Sequence, residues 1–213
     1  MDKSSPFKLG IFIDGYTLKK VNEYYRFHHP YRSRIDFVSL RNWAENEARR
    51  VFKLEGRRLE LECHYYHPHR DPKMHGGLTP GMYSFTRELR FARFLVHYSE
   101  TSDVCQHPNM GLMSDALTFA SYKRIDALVL LSTQGQFAPL PDRLKSMGLP
   151  TLLLGWKFSY PKADRWIHWR TDSGLRDVST YYVSMDKIAD MNAPGDFANK
   201  GLFSLHGKGA SAQ

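Results

Sequence analysis

The stretch Ala127–Leu131, which reads ALVLL, decides the fold class of this chain of 213 residues. A strand that is apolar at every position is typical of the centre of a parallel sheet, where helices cover both faces. Two related runs flank it in sequence: residues 9–13 read LGIFI, and residues 151–155 read TLLLG. Segments with helical spacing separate the three runs, so the sequence predicts parallel strands joined by crossover helices.

The spacing of apolar residues also predicts the remaining elements. The predicted helices cover residues 17–25, 40–52, 83–91, 112–120 and 137–147, and the further strands cover residues 59–65 and 94–98. Gly148 favours the left-handed turn that ends a helix, and Pro150 prevents its continuation. Residues 178–185 fit either a last strand or a short helix. We therefore predict an α/β fold, a three-layer sandwich with a mainly parallel central sheet of Rossmann-like architecture.

A single domain over residues 8–190 fits the chain length, with tails at residues 1–7 and 191–213. The C-terminal tail is rich in Gly, Ala and Asn, and we expect it to be flexible. The apolar runs are too short to cross a bilayer and the polar N-terminus has no signal-peptide core, so we expect a cytoplasmic protein. Cys63 and Cys105 are expected to be reduced and buried in that compartment.

The formal net charge of +8 favours polyanionic partners, since basic side chains attract phosphates and release counterions. Cations and aromatic rings alternate over residues 24–34, which read YYRFHHPYRSR, and the same mixture returns over residues 65–73. Single-stranded nucleic acid is bound by such combinations of cations and stacking rings. We predict that Arg32, Arg34 and Lys73 contact RNA. The alternative interpretations are rings that pack internally beside solvated arginines, or a patch that contacts a protein.

Polar residues follow the predicted strands at their carboxyl ends. Asp14 ends the first strand, and Ser132 to Gln136, which read STQGQ, follow the central apolar run. In open parallel sheets these ends meet at one edge, which is where ligands bind. We predict that these side chains, Gln134 included, lie close together at that edge.

The order of these segments resembles the NYN domains, the LabA-like branch of the PIN-like nuclease superfamily. The segments that carry the resemblance are residues 11–15 (IFIDG), 115–117, 122–132, 137–148, 156 and 170–185. Each motif is short, but their order and spacing together cover residues 8–190. The resemblance implies a PIN-like/NYN fold and RNA as the partner.

Members of that family cleave RNA with Mg or Mn held by a cluster of carboxylates. The family's loop after the central strand reads Ser-Gly-Asp-Gly-Asp-Phe, and here Gln134 and Gln136 replace both aspartates. The family also has an aspartate before the helix that precedes the central strand, and Asn109 occupies that position here. Of about five acidic positions, Asp14 and Asp115 remain, so the resemblance makes these two the candidates for catalysis and metal binding.

The amides change what such a site is expected to do, because three units of negative charge are lost. At ~4 Å and an effective dielectric of ~20, each carboxylate–cation pair contributes about 4 kcal/mol before desolvation. Mg²⁺ dehydrates reluctantly and depends on that charge, so we expect Mg or Mn binding to be weak at most. Asn109, Ser132 and the two glutamines are then expected to contact substrate. The predicted function is RNA or nucleotide binding by a domain whose nuclease site is weak or inactive.

Two other functions fit the sequence. An active Mg- or Mn-dependent ribonuclease would use Asp14, Asp115 and a further acid such as Asp103 or Glu100. A protein-interaction subunit or homodimer would use an aromatic C-terminal region, whose members are Trp156, Tyr160, Trp166 and Trp169.

A zinc site is the weaker interpretation of a histidine-rich segment. The segment contains His64, His67, His69, Asp71 and His75. Their spacing matches no strong zinc pattern, and no cysteine pair accompanies them. We expect a solvated loop, or one that touches a phosphate backbone.

Overall fold

The computed structural model describes residues 5–71, 80–99, 108–191 and 201–203. Its strands are β1 (Phe7–Asp14), β2 (Leu59–Tyr66), β3 (Leu95–His97), β4 (Ala127–Leu131), β5 (Thr151–Gly155), β6 (Lys157–Lys162), β7 (Arg165–Arg170) and β8 (Tyr181–Ser184). Its helices are α1 (Gly15–Phe27), α2 (Phe37–Val51), α3 (Pro80–Phe91), α4 (Gly111–Ser121), α5 (Pro139–Ser146), α6 (Ser173–Val178) and α7 (Met185–Met191). A 3-10 helix, Gly135–Phe137, precedes α5.

Six strands form one parallel sheet in the order β3-β2-β1-β4-β5-β8. Helices cover both faces, and each face has its own apolar core. Residues from α1, α2 and α7 pack on one face, whereas residues from α4, α5 and α6 pack on the other. The predicted α/β three-layer, Rossmann-like sandwich is therefore confirmed.

Alternation along β1 explains how one strand serves two cores. Leu9, Ile11 and Ile13 contribute to the core beneath α1, and Phe12 points into the core beneath α4. Successive side chains of a strand point to opposite faces, so a central strand must be apolar at almost every position. β4 is buried at all five positions for the same reason.

Aspartates start three of the helices. Asp14, Asp36 and Asp172 each accept a hydrogen bond from a backbone N–H in the first turn of α1, α2 and α6, respectively. Such caps satisfy donors that have no partner within the helix. Asp14 therefore has a structural task at the end of β1, whatever else it does.

A β-hairpin after Trp156 was not predicted. β6 and β7 pair antiparallel outside the main sheet, and their inward positions alternate with exposed polar residues. The predicted helix over residues 137–147 is shorter than expected, because Pro139 has no N–H to continue a helix from the 3-10 turn and instead begins α5. The ambiguous segment 178–185 contains the whole of β8 and the first residue of α7.

Both predicted tail boundaries need correction. β1 begins at Phe7, which is buried and belongs to the domain. Within the tail predicted to be flexible, residues 201–203 pack against the core: Leu202 and Phe203 are buried, and Phe203 forms an antiparallel bridge with Ile35. Apolar burial holds this segment, and the composition of the tail did not reveal it. The other residues beyond Met191 lie outside the described part of the chain.

Within the described residues, no helix is both long enough and apolar enough to span a membrane. Cys63 is a buried free thiol, as predicted, and burial raises its pKa to about 12. Cys105 lies outside the described residues.

Candidate functional site

All strands of the main sheet end at one edge, and polar side chains cluster where β1 and β4 end. Asp14 is the last residue of β1, and Ser132 follows β4, its direct neighbour. The strand order reverses between these two strands, since β1 is followed in sequence by β2 on its other side. In open parallel sheets, ligands bind in the crevice outside such a reversal point.

The Asp14 carboxylate is fully enclosed by protein donors. Its Oδ1 accepts the N–H of Tyr16 at 3.0 Å, and its Oδ2 accepts the hydroxyls of Thr17 at 2.6 Å and Ser132 at 3.0 Å. The residue is 0% exposed. The predicted proximity of Asp14 and Ser132 is therefore observed as a direct hydrogen bond.

Burial raises the pKa of Asp14 to about 6, because a charged carboxylate loses its hydration there. The hydrogen bonds from Thr17, Ser132 and Tyr16 lower the pKa and offset part of this effect. A carboxylate held by a dense set of cations would shift in the opposite direction. The Asp14 carboxylate is thus surrounded by hydroxyl and amide donors. In an acidic metal site, cations would occupy these positions around the carboxylate.

Two threonines complete this hydroxyl cluster, and the sequence analysis did not single them out. The Oγ1 atoms of Thr17 and Thr133 lie 3.1 Å apart, and Thr133 N donates to Thr17 Oγ1 at 3.1 Å. The side-chain amide of Gln134 donates to Thr133 Oγ1 at 3.0 Å, while its backbone N–H donates to Ser132 Oγ at 3.1 Å. Gln134 therefore belongs to the Asp14 site through hydrogen bonds.

Gln136 does not share that arrangement. It is exposed on the 3-10 helix, beyond the buried cluster. Next to it, a Cβ added to Gly135 would lie 2.7 Å from Cγ of Asp172, so this exposed carboxyl packs directly against the loop. Asp172 is an acid near the site that the sequence analysis missed. The sequence contained one signal for it, because an aspartate directly before Ser173 and Leu175 fits the N-cap position of a helix.

Asp115 belongs to a different network. Its Oδ2 accepts the hydroxyl of Tyr66 at 2.9 Å and lies 3.6 Å from His97 Nδ1. His97 Nε2 in turn lies 2.8 Å from His64 Nδ1. Burial, reinforced by the charge of His97, lowers the pKa of His64 to about 4. No hydrogen bond within the described residues joins Asp115 to Asp14, so the two predicted acids are held by separate sets of partners.

Asn109 is nearly buried and its side chain is occupied by the backbone. Its Oδ1 accepts the N–H of Gly111 at 3.0 Å, and its Nδ2 donates to the carbonyl of His67 at 3.0 Å. Both groups tie the start of α4 to the end of β2. This geometry fits the cap that such a residue offers a helix, and it leaves little for a substrate.

A cavity of about 450 Å³ adjoins the Asp14 site between α1, the end of β2 and α3, and we call it the α1 cavity. From α1 it is lined by Gly15, Lys19, Asn22, Glu23 and Arg26, whose spacing puts them on one helix face. Rings form much of the rest of its wall: Phe27, Tyr65, His67, His69, Phe85 and Tyr98. The volume lies in the range of about 300–1,000 Å³ that is usual for small-molecule sites.

Tyr65 connects the cavity to Asp14. Burial raises the pKa of Tyr65, and the charge of Asp14 raises it further, so the phenol lies within electrostatic reach of that carboxylate. A Cβ at Gly15 would lie 2.7 Å from the Tyr65 hydroxyl and 2.6 Å from the carbonyl oxygen of Tyr66. Only glycine allows α1 to approach β2 this closely.

Among the described residues that line the cavity, Lys19, Arg26 and Arg34 are cationic, and Glu23, which pairs with Lys20 at 3.4 Å, is acidic. Within the described residues, no ion pair involves Lys19 or Arg26, whereas Arg34 is paired with Glu88 at 2.8 Å. Burial lowers the pKa of His67 to about 3, with a smaller contribution from the charges of His69 and Lys19. His67 is therefore neutral at physiological pH, and its ring acts as a polar aromatic wall.

The cations predicted to contact RNA differ in their positions relative to the α1 cavity. Arg34 lines the α1 cavity, but Arg32 is exposed outside it and donates to the carbonyl of Phe27. Arg32 also adopts a positive φ of 46°, which marks a tight turn after α1. Lys73 lies outside the described residues.

Metal ligands do not converge within the described residues. No group of three or more His, Cys, Asp or Glu side chains there has a geometry that could hold an ion. His64, His67 and His69 point into ring contacts and hydrogen bonds of the β2 end. His75, Glu100 and Asp103, named above as possible ligands, lie outside the described residues.

The aromatic C-terminal region divides into buried and exposed members. Trp156 is fully buried against Tyr25, and Trp169 is half-buried beside Tyr16 at a ring-centre distance of 6.0 Å. Trp166 remains 63% exposed. Core packing therefore accounts for part of this region, and the exposed ring needs a separate explanation.

The sheet order and the polar cluster at its reversal point define a Rossmann-like α/β protein whose candidate site lies at the carboxyl ends of its central strands. No protein-family model matches the chain, and no curated protein matches it. The chain is similar to a solved structure, a protein of unknown function from Vibrio parahaemolyticus (VPA0982), with 20% identity and a TM-score of 0.55. That likeness covers 87% of this chain and 97% of the other. It shows the fold, and the NYN assignment remains a prediction.

Proposed function

We propose that this protein is an NYN-type domain that binds RNA at the carboxyl edge of its sheet without cleaving it. One nucleotide unit occupies the α1 cavity. The observation that carries the proposal is the lining of that cavity, where Lys19 and Arg26 stand opposite aromatic rings. The family resemblance supports RNA as the ligand.

Cations and rings have separate tasks in this proposal. Lys19 and Arg26, two helical turns apart on α1, neutralise phosphates. Phe27, Phe85 and Tyr98 offer flat surfaces on which a base stacks, and stacking accepts any base. The site therefore binds single strands with little sequence preference.

The proposed absence of cleavage follows from the burial and hydrogen bonding of Asp14. Three donors and complete burial leave its oxygens inaccessible to a hydrated divalent ion. Mg²⁺ keeps several water ligands and needs a compact set of charged oxygens. The amides Gln134 and Gln136, at positions where the family has aspartates, supply no such charge.

The test measures binding of a labelled single-stranded RNA at several salt concentrations. The double variant Lys19→Ala, Arg26→Ala should bind more weakly and reduce the slope of log affinity against log salt by ~0.7 per lost phosphate contact. The matched control, Arg143→Ala with Lys145→Ala, removes two exposed cations of α5 and should leave the slope unchanged.

A second arm incubates RNA with Mg²⁺ or Mn²⁺, with and without a chelator. Unchanged RNA at high protein concentration supports the proposal. Metal-dependent products that disappear in Asp14→Ala would establish the ribonuclease alternative instead. A wild-type protein without salt-dependent RNA binding would leave the protein-interaction alternative.

A further inference from the structure

The β6–β7 hairpin has an outer face with an unusual composition. Its register pairs Lys157 with Arg170, Ser159 with His168, and Pro161 with Trp166. These pairs alternate with Phe158–Trp169 and Tyr160–Ile167, so the two sets point to opposite faces. The outer face therefore presents an indole and an imidazole next to the Lys157–Arg170 pair at the base of the hairpin.

Stacking holds the inner face of the hairpin on α1. Phe158 stacks on Tyr24 at 4.4 Å with an interplanar angle of 9°, and Tyr160 stacks on His28 at 3.9 Å. Such ring pairs fix the orientation of the hairpin as well as burying apolar area. The outer face is therefore directed toward solvent by packing on its other side.

Two aromatic rings are neighbours on the outer face. Trp166 and His168 lie nearly parallel, with centres 6.5 Å apart and an interplanar angle of 17°. The Ser159 hydroxyl lies 3.0 Å from His168 Nδ1, which orients the imidazole. Trp166 is 63% exposed, so most of its apolar ring faces water.

Positive charge lies at both ends of the hairpin. Lys157 and Arg170 lie at its base on the outer face, whereas Lys162 and Arg165 form the last pair at its tip and share the register of the inner set. Within the described part of the chain, no ion pair involves any of these four side chains. Asp164 is the one acid in residues 157–170, which leaves this segment with a net charge of +3.

The base of the hairpin is continuous with the Asp14 site. After Arg170, the N–H of Asp172 donates to the carbonyl of Thr133 at 3.0 Å. Thr133 is a member of the hydroxyl cluster around Asp14. A strand of about six residues spans ~20 Å, and the ring contacts with Tyr16, Tyr24 and His28 place the hairpin alongside α1 over such a length.

We propose that the outer face of the β6–β7 hairpin binds bases of a single-stranded RNA as the strand leaves the carboxyl edge of the sheet. The proposal rests on the function proposed above and adds a second, separate surface. Trp166 and His168 stack against bases, and the Lys157–Arg170 pair at the base of the same face contacts phosphates. Charge favours this partner, because residues 157–170 carry a net charge of +3 and two of their cations lie on the face of the two rings.

The test compares wild type, Trp166→Ala, Trp166→Phe and Tyr122→Ala for binding of a labelled oligouridylate of about 12 nucleotides, a length within the ~4–16 nucleotides that single-strand sites occupy. Competition by a mononucleotide reports the α1 cavity alone. Tyr122, 76% exposed at the end of α4, is the matched control. Circular dichroism melting verifies that each variant is folded.

Trp166→Ala should weaken oligouridylate binding roughly 5-fold or more, the usual effect of removing one stacking ring, and leave mononucleotide binding unchanged. Trp166→Phe should retain most of the affinity, and Tyr122→Ala should behave as wild type. If folded Trp166→Ala binds as wild type while the Lys19, Arg26 double variant fails, the hairpin inference is overturned and the proposed function stands. If wild type binds neither ligand, both are overturned. Self-association that depends on Trp166, without RNA binding, would assign the face to a protein contact.

Discussion

Replacing Asp14 by Asn tests the central electrostatic claim, that the acid at the end of β1 is held without compensating positive charge. The pKa of Asp14 is raised from 3.8 to about 6. Between these values the folded protein retains a proton that the unfolded chain has released, so stability falls as pH rises. With 1.36 kcal/mol per pKa unit, the charged carboxylate costs about 3 kcal/mol at pH values above the folded pKa.

Asn is uncharged at every pH and nearly the same size, so Asp14→Asn should remove this cost. Urea unfolding of both proteins gives their free energies of unfolding across the acidic to neutral range. The variant should match wild type below the unfolded pKa and exceed it by up to about 3 kcal/mol near neutral pH, because other titrating groups cancel in the difference. A difference that does not vary with pH, or a variant less stable at neutral pH, would refute the reasoning.

Ser132→Ala provides a second measurement of the same effect. The Ser132 hydroxyl donates to Asp14 and lowers its pKa, so its removal should raise that pKa further. The loss of stability with rising pH should then extend to higher pH than in wild type. An unchanged pH profile would mean that the hydroxyl does not stabilise the charged carboxylate.

Three further predictions concern stability and reactivity. Phe203→Ala should lower the free energy of unfolding by about 3 kcal/mol, since a buried ring is removed, whereas the exposed control Tyr122→Ala should change it little. Gly15→Ala should destabilise by about 2 kcal/mol or more through its clash with β2, while Gly81→Ala, in open space within α3, should be neutral or slightly stabilising; thermal melts distinguish the two. Cys63 should escape thiol labelling in the folded protein at neutral pH, because its pKa is raised to about 12, and peptide mapping by mass spectrometry would detect any label there.

The central sheet was predictable because its strands are buried on both faces. β4 is apolar throughout, β5 is apolar after Thr151, and β1 is apolar from Leu9 to Ile13, so each is visible as a run without reference to distant residues. The β6–β7 hairpin was not predictable in this way. It buries only one face, and its outward positions carry charges, a proline and an exposed indole that mask the alternation.

The candidate site was predictable in part for a similar reason. Asp14 and Ser132 end adjacent strands, and the sheet rule alone brings them together. Thr17 and Thr133 were missed because hydroxyl residues have no distinctive pattern, and 116 positions separate them in sequence. The face of α1 that lines the cavity was detectable from the helical spacing of Lys19 and Arg26, but only once a cavity beside that face was known.

The pairing of β1 with β4 has a consequence for folding. β1 ends at Asp14, yet its partner on one side begins at Ala127. Contacts between segments so distant in sequence form slowly, since a long loop must close first. During synthesis, one edge of the apolar strand β1 therefore stays unpaired until more than a hundred further residues have been added. We expect this strand to be the point at which the nascent chain depends on chaperones and at which refolding from denaturant is lost to aggregation.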